Sequence, residues 1–273
     1  MKTTNLKLGV IGAGFVGGSV INGFDRNVDK FVVDTAKNKN TITDLIKFDP
    51  SITFVCVPTP EAVGGSGDVD VSIVRQVLSD LYDRNYKGIV VIKSTITPKH
   101  LTKMKKDFPV KLVYNPEFLT EANAHEDFKN PHMQVLGGKW RDCELVEKAY
   151  VKHSSVKICP TFKTDLITAS LLKYTINSFL ATKVAFFNEL YELFDNSQTH
   201  STWDQFTDML KCDPRIGNSH LKVPGPDGSF GFGGHCFPKD TQALLHYSKK
   251  QGCDLKILAE AVKDNDKKRK KTV

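Results

Sequence analysis

The sequence predicts an α/β chain: a doubly wound parallel sheet over residues 1–163, then an all-helical part over 164–273 built on one long helix. Three observations predict it. Short β-branched runs alternate with amphipathic stretches through the first half, the pattern of parallel sheets with helices on both faces. A glycine triplet closes the first run and opens a helix. Near residue 164 the alternation gives way to about thirty residues without Gly or Pro, longer than an ordinary helix.

Residues 6–11, 31–34, 52–57, 89–93 and 111–114 read as strands. Between them Val71, Val74, Val77, Leu78, Leu81 and Tyr82 recur at three-and-four spacing, and Leu101, Met104 and Phe108 follow Pro98 at a first helical turn. Thr164-Asp165 is an N-cap signal for the long helix. Its residues Leu166, Leu171, Leu172, Ile176, Phe179, Leu180, Val184, Phe187 and Leu190 cover most of the circumference, which predicts burial on several sides and a homodimer formed through this helix. Further helices are expected at 203–210, 241–250 and 255–263, with a glycine-rich stretch at 225–234 and no internal repeat.

Composition closes several classes. A chain of 273 residues corresponds to about two domains, and 40% hydrophobic with 25% charged residues is that of a folded globular protein. No apolar run approaches the ~18 residues of a membrane span and no signal-peptide core follows Met1, so a cytoplasmic protein is expected. The six cysteines form no C-x-x-C pair, so no metal site and no disulfide framework is expected. The net charge of +7 favours anionic ligands, but Lys267, Lys268, Arg269, Lys270 and Lys271 supply much of it, and no basic stripe interleaved with aromatics points to nucleic acid. That basic tail reads as a frayed, solvated helix end.

Gly12-Ala13-Gly14-Phe15-Val16-Gly17 is a G-x-G-x-x-G pattern between strand and helix, and Asp34 ends the next strand twenty residues after Gly14. This is the Rossmann arrangement: glycines admit a pyrophosphate to the helix N-terminus, and the carboxylate accepts from the ribose hydroxyls. The carboxylate would repel a 2′-phosphate, so NAD is expected over NADP, although Lys37 and Lys39 pull the other way. Thr59 and Thr95 lie just past strand ends, where they either cap a helix or touch a ligand. Glu117 and Glu121 read either as solvated carboxylates in a first helical turn or as site residues. Lys173 and Asn177 share one face of the long helix, where the lysine either snorkels or lines a cleft. Cys236, after consecutive glycines and before a helix start, is either a structural cysteine or a reactive thiol favoured by the helix dipole.

Together these residues resemble one family, the UDP-glucose and GDP-mannose dehydrogenases. The likeness runs through VCVPTP at 55–60, IKSTITP at 92–98, NPEFLTEANA at 115–124, LLKYTINSFLATKVAFFNE at 171–189, DPRIG at 213–217 and VPGPDGSFGFGGHCFPKD at 223–240. It implies NAD-dependent oxidation of the C6 alcohol of UDP-glucose, or a related nucleotide sugar, to a carboxylate in two steps through a thiohemiacetal and a thioester on Cys236. It also implies that Lys173 and Asn177 stabilise the oxyanion, that Asp240 and Thr95 manage the water, and that Glu117 assists thioester hydrolysis. Gly12, Gly14, Phe15, Val16, Gly17, Asp34, Lys39, Thr59, Thr95, Glu121 and Lys239 would contact the cofactor. Glu117, Phe118, Leu119, Lys173, Asn177, Arg215 and the loop Phe230, Gly231, Phe232, Gly233 would contact the substrate. The family carries a third, Rossmann-like C-terminal domain that has no counterpart before residue 273, and Met133 and Ser170 stand where it usually has Arg and Glu. The resemblance therefore leaves three expectations: a UDP-glucose enzyme, a dehydrogenase of UDP-N-acetyl-mannosamine or GDP-mannose, or an NAD-binding module that needs a partner domain.

Overall fold

The computed structural model describes residues 5–119 and 123–271. The elements run β1 Lys7–Ile11, α1 Phe15–Gly23, β2 Asp29–Val33, α2 Ile42–Phe48, β3 Ile52–Val55, α3 Ser72–Asp83, β4 Ile89–Ile92, α4 Pro98–Asp107, β5 Lys111–Tyr114, α5 Ala124–Lys129, β6 Gln134–Gly138, α6 Trp140–His153, β7 Thr161–Thr164, α7 Leu166–Asn196, α8 Trp203–Lys211, α9 Phe237–Lys250 and α10 Lys256–Lys271. They form two compact units, Met1–Pro60 with Val69–Lys173, and Glu61–Asp68 with Tyr174–Val273. The division falls inside α7, later than the start of that helix, where the sequence placed it.

In the first unit the strands lie in the order β2-β1-β3-β4-β5-β6-β7. Every described neighbouring pair is parallel except β5 with β6. β3 and β4 are apolar and buried along their whole length, as central parallel strands covered on both faces must be. Leu8, Val10, Phe54, Val91, Val113 and Leu136 pack with Val20, Phe24, Phe128 and Tyr150 into the main core. Because β1 has β2 on one side and β3 on the other, the connections diverge there. The crevice past the carboxyl ends of β1 and β3 is thus the topological switch point where such sheets hold ligands.

Two strands and three helices of this unit escaped the sequence reading. β6 ends in two glycines and β7 carries one large apolar residue, so neither shows an alternating pattern. The seven-residue α2 is held by a reciprocal capping box, the Thr41 hydroxyl accepting from the Asp44 amide while the Asp44 carboxylate accepts from the Thr41 amide.

In the second unit Ala181, Ala185, Phe232, Leu245, Leu258 and Val262 form one core cluster, and Phe187, Trp203, Leu221 and Val223 another. α7 starts as its Asp165 signal predicts, with that carboxylate accepting from the Ile167 and Thr168 amides at 2.8 and 2.9 Å. Its burial differs from the expectation. The buried positions are mostly small or polar, among them Ala169, Ser170, Lys173, Asn177, Ser178, Ala181, Ala185 and Asn188, whereas Phe179, Phe186 and Leu193 are 66, 57 and 63% exposed. The expected fraying of the basic tail is likewise corrected. α10 is helical through this stretch, Lys268 is buried and pairs with Glu192 at 2.5 Å, and Arg269 binds Asp227 at 2.7 Å. No helix among the described residues is long and apolar enough to cross a membrane.

Candidate functional site

The glycine turn joins β1 to α1. Gly12 takes a φ of +88°, a conformation that disfavours any side chain, and a Cβ there would lie 2.8 Å from the Cys56 carbonyl oxygen. A Cβ on Gly17 would fall 1.9 Å from the Gly12 carbonyl oxygen, so this glycine lets α1 sit on the turn. Gly14 is different: it is the N-cap of α1, exposed, and a Cβ would meet nothing within 4 Å. A cleft of about 660 Å³ opens here, lined by Ala13, Gly14, Phe15, Gly18, Asn22 and Lys37 together with the start of α5. The α1 N-terminus offers unpaired amides and a positive dipole end to it, the conditions a pyrophosphate requires. Val16 is half-buried in the first turn of α1.

Asp34 stands beyond β2 and ties the turn down. Its Oδ2 accepts from the Ala13 amide at 2.6 Å, and its Oδ1 accepts from the Ala36 and Lys37 amides at 3.0 Å each. The bond from Ala13 is the main cause that holds this carboxyl below the ordinary aspartate range, so it is ionised at neutral pH. Lys37 donates to the Ala13 carbonyl and lines the cleft; Lys39 is exposed and lies outside that lining.

Past β3, β4 and β5 a second group forms. Thr59 is buried and donates to the Thr95 carbonyl at 2.9 Å. Neither threonine caps a helix, since Val71 and Thr97 hold the N-cap positions of α3 and α4. Glu117 belongs to no helix; it pairs at 2.8 Å with Lys93, whose side chain is 3% exposed. Lys93 also donates to Asn115 Oδ1 at 2.9 Å. Burial alone would push Lys93 down, but Glu117, Tyr150 and Cys56 together outweigh it and hold the ammonium above the ordinary lysine range. The sequence reading passed over Lys93, although a lysine closing a wholly apolar strand is a visible signal of a paired charge. Lys173 does not snorkel: it is buried, its Nζ 5.3 Å from the centre of the half-buried Phe118 ring. Leu119 is half-buried, and Glu121 lies outside the described residues.

In the second unit Cys236 is exposed at the N-cap of α9, and its carbonyl accepts from the Asp240 amide at 2.8 Å. Asp240 is 1% exposed and bound through both oxygens: Asn177 Nδ2 donates to one at 2.6 Å and Lys239 Nζ to the other at 2.6 Å. Lys239 is thereby tied to a carboxylate. The side chains of the preceding loop turn inward, Phe232 into the core against Phe237 and Phe230 against Tyr191. The Gly231 amide donates to Asn188 at 2.8 Å and the Phe232 amide to Asn265 at 2.6 Å. Arg215 is on the surface, its side chain 88% exposed and bound to Asp213 through two nitrogens. Among the described residues no group of three or more His, Cys, Asp or Glu could hold a metal.

A glycine turn at the switch point of a parallel sheet puts the first unit in the class of dinucleotide-binding domains, and the second unit carries an exposed thiol at a helix N-terminus. The chain belongs to the UDP-glucose/GDP-mannose dehydrogenase family: residues 41–153 match its NAD binding domain and residues 167–267 its central domain. It is 35% identical over 219 residues to the UDP-glucose 6-dehydrogenase of Rickettsia conorii, covering 78% of this chain and 48% of that one. It is 30% identical over 253 residues to UDP-glucose 6-dehydrogenase TuaD of Bacillus subtilis, covering 89% and 52%. The chain thus spans about half the length of these relatives. In fold it matches a UDP-glucose dehydrogenase from Pyrobaculum islandicum, with a TM-score of 0.79 at 24% identity over 97% of this chain and 69% of that one. It also matches a UDP-D-ManNAc dehydrogenase from Pyrococcus horikoshii, with a TM-score of 0.74 at 19% identity over 96% and 68%. The cofactor is NAD.

Proposed function

We propose that this chain oxidises the C6 alcohol of UDP-glucose to the carboxylate of UDP-glucuronate. The observation that carries the reading is the exposed Cys236 one helical turn before Asp240, with Asp240 bound at 2.6 Å by Asn177. A chain that only bound NAD would have no use for this arrangement, and two relatives at 30–35% identity carry the same activity in their names.

The NAD-binding residues are Gly12, Gly14 and Gly17 at the turn, Phe15 and Val16 in the first turn of α1, and Asp34 and Thr59. When bound, NAD supplies the hydride acceptor for two oxidations, alcohol to aldehyde and thiohemiacetal to thioester. The Cys236 thiolate adds to the aldehyde carbon, forming a C–S bond and an oxyanion that takes up a proton. Lys173 and Asn177 are donors one turn apart on α7 and serve that developing charge. Water then gives up a proton and attacks the thioester carbonyl, and the C–S bond breaks to regenerate the Cys236 thiolate and release the carboxylic acid, which ionises. Asp240 and Thr95 position that water, and Glu117, paired with Lys93 at 2.8 Å, assists its deprotonation. Glu117, Phe118, Leu119, Lys173, Asn177, Arg215 and the 230–233 loop are assigned to contacts with the nucleotide sugar.

NADH formation with purified chain, NAD and UDP-glucose tests this, alongside Cys236→Ser. About two NADH per sugar in the parent, lost in the variant, is the expected result. NADH from UDP-N-acetyl-mannosamine or GDP-mannose and none from UDP-glucose moves the assignment to that sugar. NAD binding without turnover of any of the three makes the chain a module that awaits a partner domain.

We also propose a homodimer through α7. Phe179, Phe186 and Leu193 recur every seven residues and form an exposed apolar stripe along one face. Phe186→Glu should convert a dimer to a monomer in sedimentation; a monomeric parent would refute the assembly.

A further inference from the structure

The loop that leads into Cys236 is held by side chains from two other elements of its unit. Two successive amides, those of Gly231 and Phe232, donate to Asn188 of α7 and Asn265 of α10, at 2.8 and 2.6 Å. Both asparagines are nearly inaccessible, at 1 and 4%, and an amide left without its acceptor at such a depth is costly. The fit is also steric. Gly231 has a φ of +76°, and a Cβ there would lie 2.3 Å from Asn265 Oδ1. A Cβ on Gly233 would lie 2.6 Å from the Arg269 guanidinium. Arg269 in turn binds Asp227 at 2.7 Å, at the head of the same glycine-rich segment. Little more than one turn of α10, from Asn265 to Arg269, therefore meets the loop at both its beginning and its end.

We infer that Asn265 and Arg269 are positioning residues for the thiol: they fix the path of the 230–234 loop and so hold Cys236 at the N-terminus of α9. The inference rests on the proposed function only in taking Cys236 as the reacting group. The requirement at position 265 is for an acceptor, because the bond to the loop is received by Oδ1. An aspartate keeps that acceptor and an alanine removes it. At the helix N-terminus the thiolate is favoured, so a released loop moves the sulfur away from what activates it.

The test is the rate of iodoacetamide labelling of individual cysteines in the full chain, read by peptide mass spectrometry at pH 7. Cys212 and Cys253, exposed elsewhere in the unit, serve as internal controls. Asn265→Ala should slow Cys236 labelling about fivefold or more, the effect of roughly one lost hydrogen bond, with both controls unchanged. Asn265→Asp should restore the parent rate. Arg269→Gln, at a partly exposed position, supplies a second reading if Asn265→Ala does not fold, and is expected to slow Cys236 selectively. Equal slowing of all three cysteines, or an unchanged Cys236 rate in folded Asn265→Ala or Arg269→Gln, overturns the inference. Failure of the proposed function is separately visible, since it requires Cys236→Ser to retain NADH formation while the labelling result stands.

Discussion

Replacing Lys93 with Met deletes the charge that the first unit has arranged around Glu117. The methionine fills most of the space, so the loss is electrostatic: Glu117, whose side chain is 17% exposed, keeps a carboxylate with no cation 2.8 Å away. Asn115 Oδ1 loses the bond from Lys93 at 2.9 Å but retains the one from Tyr150 at 2.9 Å, which limits the damage there. Breaking a buried pair from one side costs about 3–5 kcal/mol, and the partial exposure of Glu117 puts this case near the lower end, about 3 kcal/mol. For a unit of this size that corresponds to a fall in Tm of about 6–12 °C. Adding Glu117→Gln removes the stranded charge, so the double variant should be more stable than Lys93→Met alone by about 1–2 kcal/mol. Urea unfolding followed by far-ultraviolet circular dichroism measures both. A single-variant loss below about 1 kcal/mol, or strictly additive effects in the double variant, would refute the view that the first unit depends on the Lys93–Glu117 pair.

Gly17→Ala should destabilise the chain by about 3 kcal/mol, because its methyl meets backbone rather than a side chain that could move aside. Gly14→Ala should leave the unfolding midpoint within about 0.5 kcal/mol yet weaken NAD in calorimetric titration at least about tenfold, or 1.4 kcal/mol; undiminished binding would put the pyrophosphate elsewhere. Burial pushes the Tyr150 hydroxyl up from its ordinary 10 to about 12, against an opposing pull from Lys93. A group raised on folding contributes its full stability below its unfolded value and loses it as pH climbs through the folded one. Stability should therefore decline between about pH 10 and pH 12, and Tyr150→Phe should flatten that limb; an unchanged slope in the variant counts against this cause.

How much of this was legible in the sequence depends on whether a residue's partner is near in the chain. The glycine turn and Asp34 are separated by one helix, so the motif and its carboxylate could be read together. Likewise Asp165 starts α7 within the reach of its own amides. Lys93 and Glu117 meet only because β4 and β5 are adjacent, and nothing local marks the pair except a charge after an apolar run. Asn265 carries no local signal, since the amide it binds is 33 positions away. The misjudged burial of α7 has another origin. Counting apolar residues around a helix says that faces will be covered, but not whether this chain or a second copy covers them, and the large residues proved to be on the open side.

The two glycine loops show how the same residue type answers to opposite demands. Gly231 and Gly233 are required by the chain itself, since Asn265 and Arg269 occupy the space where a Cβ would go, and the 231 and 232 amides already donate inward. That loop cannot be a phosphate cradle built from those amides. Gly14 has the reverse character: no atom of the chain forbids a side chain there, while the helix amides that begin beyond it are the kind that seek an anion. The chain itself therefore makes no steric demand for glycine at 14, and the proposed function assigns that demand to the pyrophosphate. The saturated look of Asp34 does not contradict a ribose at the same place. A carboxylate offers about four acceptor positions, and the three amides from Ala13, Ala36 and Lys37 leave one on the oxygen that faces the turn. Asp34 thus fixes the turn with three bonds and leaves one acceptor position, which the proposed function gives to a ribose hydroxyl.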